Sequence, residues 1–326
     1  MSNFLITGIT GFAGAHLANL LHREGHKVFG LIRRTNGMES DIRDVVPDDV
    51  YSSITFLYGD LTNYRSMRKV FEENEFNGVF HLAAQSHPPT SFHDPIGTME
   101  TNVMGSANLI QVLQDHQPEC KVMFCSTSEV YGNVGQDGRK IHWNDSIVPS
   151  NPYGASKAAT DVYLQERFNN GFLKGFITRA FSHTGPRRGR IFSISSDAYQ
   201  IARMMKGLQS KELLIGNLST TRVVMDVRDT VRAYYLAMMH EDVTNHVFNI
   251  CGDTPRQMQY FTDKLIELSG LDDVVQKIHK PFWRPHEIYY QHGDSSNLVE
   301  LTGFKEEYDI DTTLNDLLKY WYDKIN

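Results

Sequence analysis

TGITGFAG, residues 7–14, stands between an apolar run, NFLIT (3–7), and a helical pattern carrying Leu17, Leu20 and Leu21. It spaces Gly8, Gly11 and Gly14 as GxxGxxG. Glycines let a backbone turn sharply after a strand and approach a pyrophosphate closely, and the anion then sits at the positive end of the next helix. A strand-to-helix turn without a ligand can have the same composition. At the start of the chain, between a strand and a helix, the pattern predicts a dinucleotide site.

Outward from that turn, short apolar runs alternate with helical patterns. KVFGLI (27–32) is followed by ITFLYGD (54–60) with the helix RSMRKVFEEN, then GVFHLAA (78–84) and a helix over 102–116. KVMFCS (121–126), a helix from about Pro152 and GFITRAF (175–181) continue the series. Near-continuous apolar strands alternating with helices predict an α/β fold, a Rossmann-type doubly wound parallel sheet. Beyond about residue 180 the rhythm changes, with helical patterns at 196–207, 229–240 and 259–269, a strand within 243–252 and a closing helix, TLNDLLKYWYDK. Residues 1–180 with a return segment 225–250 are therefore expected to form the dinucleotide-binding domain. Residues 181–224 and 251–326 are expected to form a smaller C-terminal substrate-binding lobe, packed by Phe282, Trp283, Tyr289 and Tyr290.

The 326 residues, 40% hydrophobic and 22% charged, suit a globular chain with a substantial core. A net charge of -7 gives no basic footprint for nucleic acid. Cys120, Cys125 and Cys251 are too few for a disulfide framework and read as thiols of a reducing compartment. The 14 histidines form no metal-spaced pair, so no metal is expected. The N-terminus lacks a basic, then apolar, leader, and no run nears the roughly 20 apolar residues of a membrane span. A cytoplasmic protein with no membrane partner is the expectation.

Three further motifs bear on chemistry. The second strand ends in LIRRTN, and Arg33 and Arg34 suit a 2′-phosphate where an acidic residue would suit a ribose hydroxyl, which favours NADP over NAD. Asp60, after the third strand, suits either an adenine amino group or a helix start. Tyr153 and Lys157 form YxxxK, four apart on one helix face, where a nearby ammonium favours phenolate. About two dozen residues earlier, STSEVYG (126–132) places hydroxyls and Glu129 at the end of an apolar strand. Alone, Thr127 and Ser128 would cap a turn and Glu129 would be solvated. Beside Tyr153 and Lys157 they read as proton-handling groups.

With these motifs the chain resembles the extended short-chain dehydrogenase/reductase family of NAD(P)-dependent nucleotide-sugar epimerases, dehydratases and reductases. The resemblance covers nearly the whole length through GITGFAG, YGDLT, HLAAQSH (81–87), PYGASK, GPRRG (185–189), DVRDTVRAYYLAM (226–238) and RPHEI (284–288). TSEVYG, AAQSH, the double arginine and PRRG are most similar to its GDP-mannose 4,6-dehydratase branch. That resemblance implies an NADP-dependent lyase acting on a GDP-mannose-like nucleotide sugar, through C4 oxidation, water loss across C5 and C6, and hydride return to C6. It assigns Tyr153 the C4 hydroxyl proton, Lys157 the tuning of Tyr153 and the nicotinamide ribose, and Thr127 the C4 oxygen. Glu129 would take the C5 proton, with Ser128 or Glu129 assisting at C6. It also implies cofactor contacts from Leu61, Leu82, Ala83 and Ala84, and substrate contacts from Ser86, Ser182, Arg187, Arg222, Arg284 and Glu287. Arg187 and Arg188 would lie in a loop reaching a neighbouring subunit's cofactor region, in a homodimer or homotetramer.

The chain departs from that branch at several places. Phe12-Ala13 replaces Gln-Asp in the glycine turn, Ser182 replaces an asparagine, and Val223 replaces an aspartate after Arg222. HLAAQSHPPTSFHDP and the C-terminal region are closer to the 4-keto-6-deoxymannose reductases. A reductase and a 4-epimerase are thus the alternative enzymes. A non-catalytic NADP-binding protein is the alternative class, and intact Thr127, Tyr153 and Lys157 stand against it.

Overall fold

The computed structural model describes residues 1–33, 42–283 and 285–325. The first half builds strands β1 (Asn3–Thr7), β2 (Lys27–Ile32), β3 (Thr55–Tyr58), β4 (Gly78–His81), β5 (Lys121–Thr127) and β6 (Gly175–Ala180). Between them run helices α1 (Phe12–Arg23), α2 (Asp48–Ser53), α3 (Tyr64–Glu73), α4 (Pro88–His93), α5 (Pro95–Met99), α6 (Gly105–His116) and α7 (Pro152–Asn169). The remainder holds strands β7 (Ser182–Thr184), β8 (Glu212–Ile215), β9 (Thr221–Asp226), β10 (Val247–Ile250), β11 (Pro255–Gln257), β12 (Val275–Ile278) and β13 (Tyr290–Gln291). Its helices are α8 (Ser193–Met205), α9 (Val227–Met239), α10 (Met258–Ser269), α11 (Ser296–Thr302) and α12 (Ile310–Lys324). None of the described helices is long and apolar enough to cross a membrane.

Seven parallel strands form one sheet in the order β10-β6-β5-β4-β1-β2-β3, the doubly wound arrangement expected from the sequence. Both faces are covered, which is why the strands read as continuous apolar runs rather than alternating ones. Phe4 and Ile6 of β1 pack with α1 and α9 on one face, while Leu5 between them packs with α3 and α6 on the other. Strand order reverses between β1 and β4, and ligands of open α/β sheets bind outside the strand ends at such a point. Gly8 makes the turn there with φ of +76°, and a Cβ on it would lie 2.8 Å from the Ala83 backbone nitrogen that follows β4. The glycine is required both by its left-handed backbone and by the close approach of the two strand ends.

Two smaller sheets flank the cleft, β11-β9-β13 with β7 alongside β9, and β12-β8. Strand β9 escaped the sequence reading because its apolar core, VVM, is only three residues long. The helix expected over 102–116 begins as α6 at Gly105, and a single π-turn at Glu100–Met104 precedes it. That turn aims Asn102 inward, where its amide donates to the Gln85 carbonyl and the Ser156 hydroxyl, tying α7 to the end of β4.

One charged pair crosses this interior. Arg179 lies in β6 with its side chain 3% exposed, and Asp161 of α7 is fully buried. The guanidinium donates to both carboxylate oxygens at 2.9 Å, and also to the Tyr131 hydroxyl and the Trp143 carbonyl. Bidentate charge-assisted bonds of this kind set geometry as well as energy. Removing one partner strands the other charge, at a cost of about 3–5 kcal/mol. Arg179→Leu is therefore expected to lower the unfolding free energy by about that amount in urea denaturation, whereas Arg179→Leu with Asp161→Leu should regain most of it. A single-variant loss below about 1 kcal/mol would contradict the role given to the pair.

Candidate active site

A cleft of about 1090 Å³ runs from the switch point between β1 and β4 to β8 and β13. Gly8, Gly11 and Gly14 line one end, with Leu61, Leu82, Ala83, Ala84 and Ser86 beside them. Gly11 precedes α1 with no side-chain cap, and the first-turn residues Phe12, Ala13 and Gly14 face the cleft, so the orphan N–H end of the helix is presented to it. Further along the wall, the buried hydroxyls Ser126 Oγ and Thr184 Oγ1 have no hydrogen-bond partner among the described residues. A cradle of glycines, an uncapped helix N-terminus and orphaned hydroxyls in one groove fit an extended ligand with phosphate and hydroxyl groups, as a dinucleotide is.

The middle of the cleft is built by the end of β5 and the start of α7. Strand β5 stops at Thr127, and Ser128–Tyr131 form a 3₁₀ turn, with Thr127 Oγ1 accepting from the Glu129 N–H at 3.3 Å. The turn-capping role of Thr127 and its place in the cleft coexist. Pro152 starts α7 with its missing N–H at a position that needs none, and Asn151 caps it, Oδ1 accepting from Gly154 at 2.8 Å. Asn151 Nδ2 meanwhile donates to Glu129 Oε2 at 2.7 Å. One amide thus fixes both the helix start and the carboxylate, a role the sequence reading missed, although Asn before Pro at a helix start is its signal. A Cβ at Gly154 would lie 2.7 Å from the Glu129 carbonyl oxygen, so the glycine of YGASK lets the two segments touch.

Tyr153, Lys157 and Asp161 follow at four-residue steps on the buried face of α7. Burial raises the Tyr153 phenol well above its ordinary value, the neighbouring Cys125 thiol adds to this, and a hydrogen bond from Thr127 and the Arg188 charge oppose it. Because Thr127 Oγ1 accepts from Glu129, its own O–H is left to donate to the phenol oxygen. Burial also brings Lys157 down to about 8, with Cys125 and Asp161 pulling the other way. Its ammonium lies 4.2 Å from the centre of the Phe124 ring. The cation acting on the phenol here is Arg188, whose guanidinium stacks 3.5 Å from the Phe192 ring centre and 4.9 Å from that of Phe12. Phe12, where the resembled branch has a polar residue, is half of this aromatic bracket.

The adjacent arginines part ways. Arg187 has φ of +74°, bonds Asp44 at 2.9 Å and donates to the Gly11 carbonyl at 2.7 Å, and it is not among the residues lining the cleft. Arg188 lines the cleft of its own chain. Ser128 faces Gln291 of β13, which donates to the Ser128 carbonyl at 3.2 Å, a partner that lay 163 residues away in sequence. Asp60 lines the cleft while one of its oxygens accepts from Thr62 N–H and Oγ1, and the helix cap falls instead to Asn63. Arg33, Ser182, Arg222 and Glu287 all line the cleft, Arg222 lying 3.6 Å from Glu287. Arg34 and Arg284 lie outside the described residues. Phe282 and Trp283 do not pack a core as expected. They are 50% and 49% exposed and line the cleft.

Comparison with known proteins gives the same framework an ancestry. The family model described as GDP-mannose 4,6 dehydratase matches residues 5–317. The GDP-6-deoxy-D-mannose reductase of Pseudomonas aeruginosa is 29% identical over 98% of this chain and 97% of its own. GDP-mannose 4,6 dehydratase 1 of Arabidopsis thaliana is 30% identical over 92% of this chain and 84% of its own. The solved structure of the Pseudomonas aeruginosa RMD complexed with NADPH superposes with a TM-score of 0.84 at 26% identity, covering all of both chains. A sheet with its switch point under a glycine turn, a Tyr-Lys pair beside a Thr-Ser-Glu turn, and a match across nearly the full length lead to one conclusion: the chain belongs to the GDP-mannose 4,6-dehydratase family.

Proposed function

We propose that this protein is an NADP-dependent 4,6-dehydratase of a GDP-mannose-like nucleotide sugar. The observation that carries the reading is Glu129 fixed beside Tyr153, a carboxylate held by Asn151 close enough to act electrostatically on the phenol. Oxidising an alcohol needs a base at one oxygen, whereas eliminating water next to the resulting ketone needs a second base near C5. When bound, NADP would accept a hydride from C4 and return it at C6, so that none is consumed.

The chain's own groups are suited to the proton steps. Tyr153 takes the C4 hydroxyl proton, and the phenolate it needs is favoured by Thr127 and Arg188 against the cost of burial. Lys157 supplies a further positive charge on the same helix face and a donor for ribose hydroxyls. Glu129 takes the C5 proton once the ketone has acidified it, and that proton, delivered by Ser128 or by Glu129 itself, leaves with the C6 hydroxyl as water. When hydride is returned at C6, the proton that Tyr153 took from the C4 hydroxyl goes to C5. The glycine turn and Leu61, Leu82, Ala83 and Ala84 would hold the dinucleotide, with Arg33 and Arg34 toward its 2′-phosphate. Ser86, Ser182, Arg222, Arg284 and Glu287 would hold the sugar nucleotide. Residues 1–180 and 225–250 then serve as the cofactor domain, and the rest as the substrate lobe. Exposed Ile96, Met104 and Val162 on the outer helices support association as a homodimer or homotetramer in the cytoplasm. A second reading, reduction of a 4-keto-6-deoxy sugar, is favoured by the end-to-end match to the Pseudomonas aeruginosa reductase.

Purified protein given GDP-mannose should form a product lighter by one water with no net change in cofactor absorbance. A reductase would instead consume NADPH with a keto-sugar and leave GDP-mannose untouched. Tyr153→Phe should lower turnover at least about 100-fold, in line with loss of a general base. Glu129→Gln should retain C4 oxidation while losing dehydration, and full dehydration by that variant would remove Glu129 from its role.

Burial of Lys157 makes a further prediction with a definite sign. Its pKa is about 8 in the folded protein and about 10.4 when unfolded, so the unfolded chain binds more protons between those values. This residue's penalty on folding is full below pH 8 and is relieved as pH rises toward 10.4. Lys157→Met should therefore be more stable than wild type at pH 7 by about 1–3 kcal/mol, while losing activity. Denaturation at pH 7 and pH 10 checks this, since the gap should narrow at the higher pH and a widening gap would contradict it.

A further inference from the structure

At the far end of the cleft from the glycine turn, Asp197 is a buried carboxylate that the proposed chemistry does not use. It lies in α8, is 3% exposed and lines the cleft. Thr262 Oγ1 of α10 donates to its Oδ2 at 2.7 Å, and among the described residues Thr262 is its one hydrogen-bond partner. Oδ1 has no donor among the described residues, yet it is not one of the fully enclosed orphan atoms of the structure, so it is left open to a donor that enters the cleft. Burial raises the carboxyl to about 7, with the Thr262 bond opposing.

The surroundings are shaped for a flat group. Gln200, one turn beyond Asp197, clamps β8 by donating to the Leu214 carbonyl at 2.9 Å and accepting from its N–H at 3.0 Å. Gly216 follows β8, and a Cβ there would lie 3.3 Å from Phe282 Cβ, so the missing side chain lets the Phe282 segment close against the end of β8, with the rings of Phe282 and Trp283 half exposed along the cleft. Half-exposed aromatic rings and a carboxylate acceptor lining one cleft suit a heteroaromatic ring whose edge donates.

We propose that Asp197 reads the base of the substrate nucleotide, its carboxylate accepting from N1–H and the N2 amine of guanine. This rests on the GDP-sugar reading and adds the residue that selects the base. An ionised carboxylate only accepts, and guanine alone among the common bases offers two adjacent donors on that edge. Adenine pairs one donor with an acceptor, cytosine does likewise, and the single N3–H of uracil is flanked by two carbonyl oxygens that the carboxylate would repel.

Calorimetric titration of the whole protein at pH 8 with GDP, IDP, ADP and UDP tests this. Wild type should bind GDP about tenfold or more tightly than IDP, which lacks the N2 amine, and more tightly still than UDP. Asp197→Asn should lose about tenfold or more for GDP and little for UDP, while Thr262→Val, which keeps the carboxylate, should retain the GDP preference. Equal wild-type affinity for GDP and IDP would overturn the assignment without recourse to any variant. An unchanged GDP preference in Asp197→Asn would do so too, as would an equal weakening of all four nucleotides by both variants, the pattern of a mere tie between α8 and α10. A wild-type preference for UDP would overturn the GDP reading itself, whereas the other outcomes leave that reading standing.

Discussion

The buried bond between Arg179 and Asp161 is the constraint on which the arrangement of the cleft depends. It joins β6 to α7 in the interior, and it reaches Tyr131 at the end of the turn that begins with Thr127. Asp161 lies four residues beyond Lys157 and eight beyond Tyr153, so fixing its carboxylate fixes the rotation of the helix that presents both. The same carboxylate holds up the charge of Lys157 against burial. A hydrophobic replacement of the pair could be as stable. It would lose the directional contact that sets which face of α7 meets the cleft.

Within that frame the site operates by withdrawing charged groups from water. Tyr153, Lys157 and Arg188 are all shifted by burial away from their charged forms, and each is partly compensated by neighbours of suitable charge or hydrogen bonding. The proposed base is therefore set by its surroundings: Thr127 donates to it and Arg188 faces it, while Glu129, held beside it by Asn151, opposes its ionisation. Electrostatic groups held in place before the reaction need no rearrangement during it, which is the usual source of their large effect.

Much of this was legible in the chain. The glycine turn and the apolar strands foretold the doubly wound parallel sheet and the turn after its first strand because both follow from local rules, a left-handed turn and burial on two faces. YxxxK and TSEVYG were readable because helix periodicity and a strand end put their side chains where chemistry can occur. Other features depended on tertiary contact and had no local sign. Nothing in GPRRG says that Arg188 turns inward while Arg187 turns out to Asp44, since the choice is made by a positive φ at Arg187 and by Phe12 and Phe192. Gln291 meets Ser128 across 163 residues, and Asp197 reads as an ordinary helix acid until α10 closes over it. Phe282 and Trp283 misled for a related reason, because large aromatics usually pack a core, whereas here they border a cleft.

The most direct measurement of the proposed reaction follows a label. GDP-mannose carrying deuterium at C4 would be incubated with the protein, and the product's label located by nuclear magnetic resonance. Elimination with Tyr153 and Glu129 in their proposed roles predicts that deuterium leaves C4 and appears at C6 of a 4-keto product. Deuterium retained at C4 of an unchanged or epimerised sugar would contradict the account.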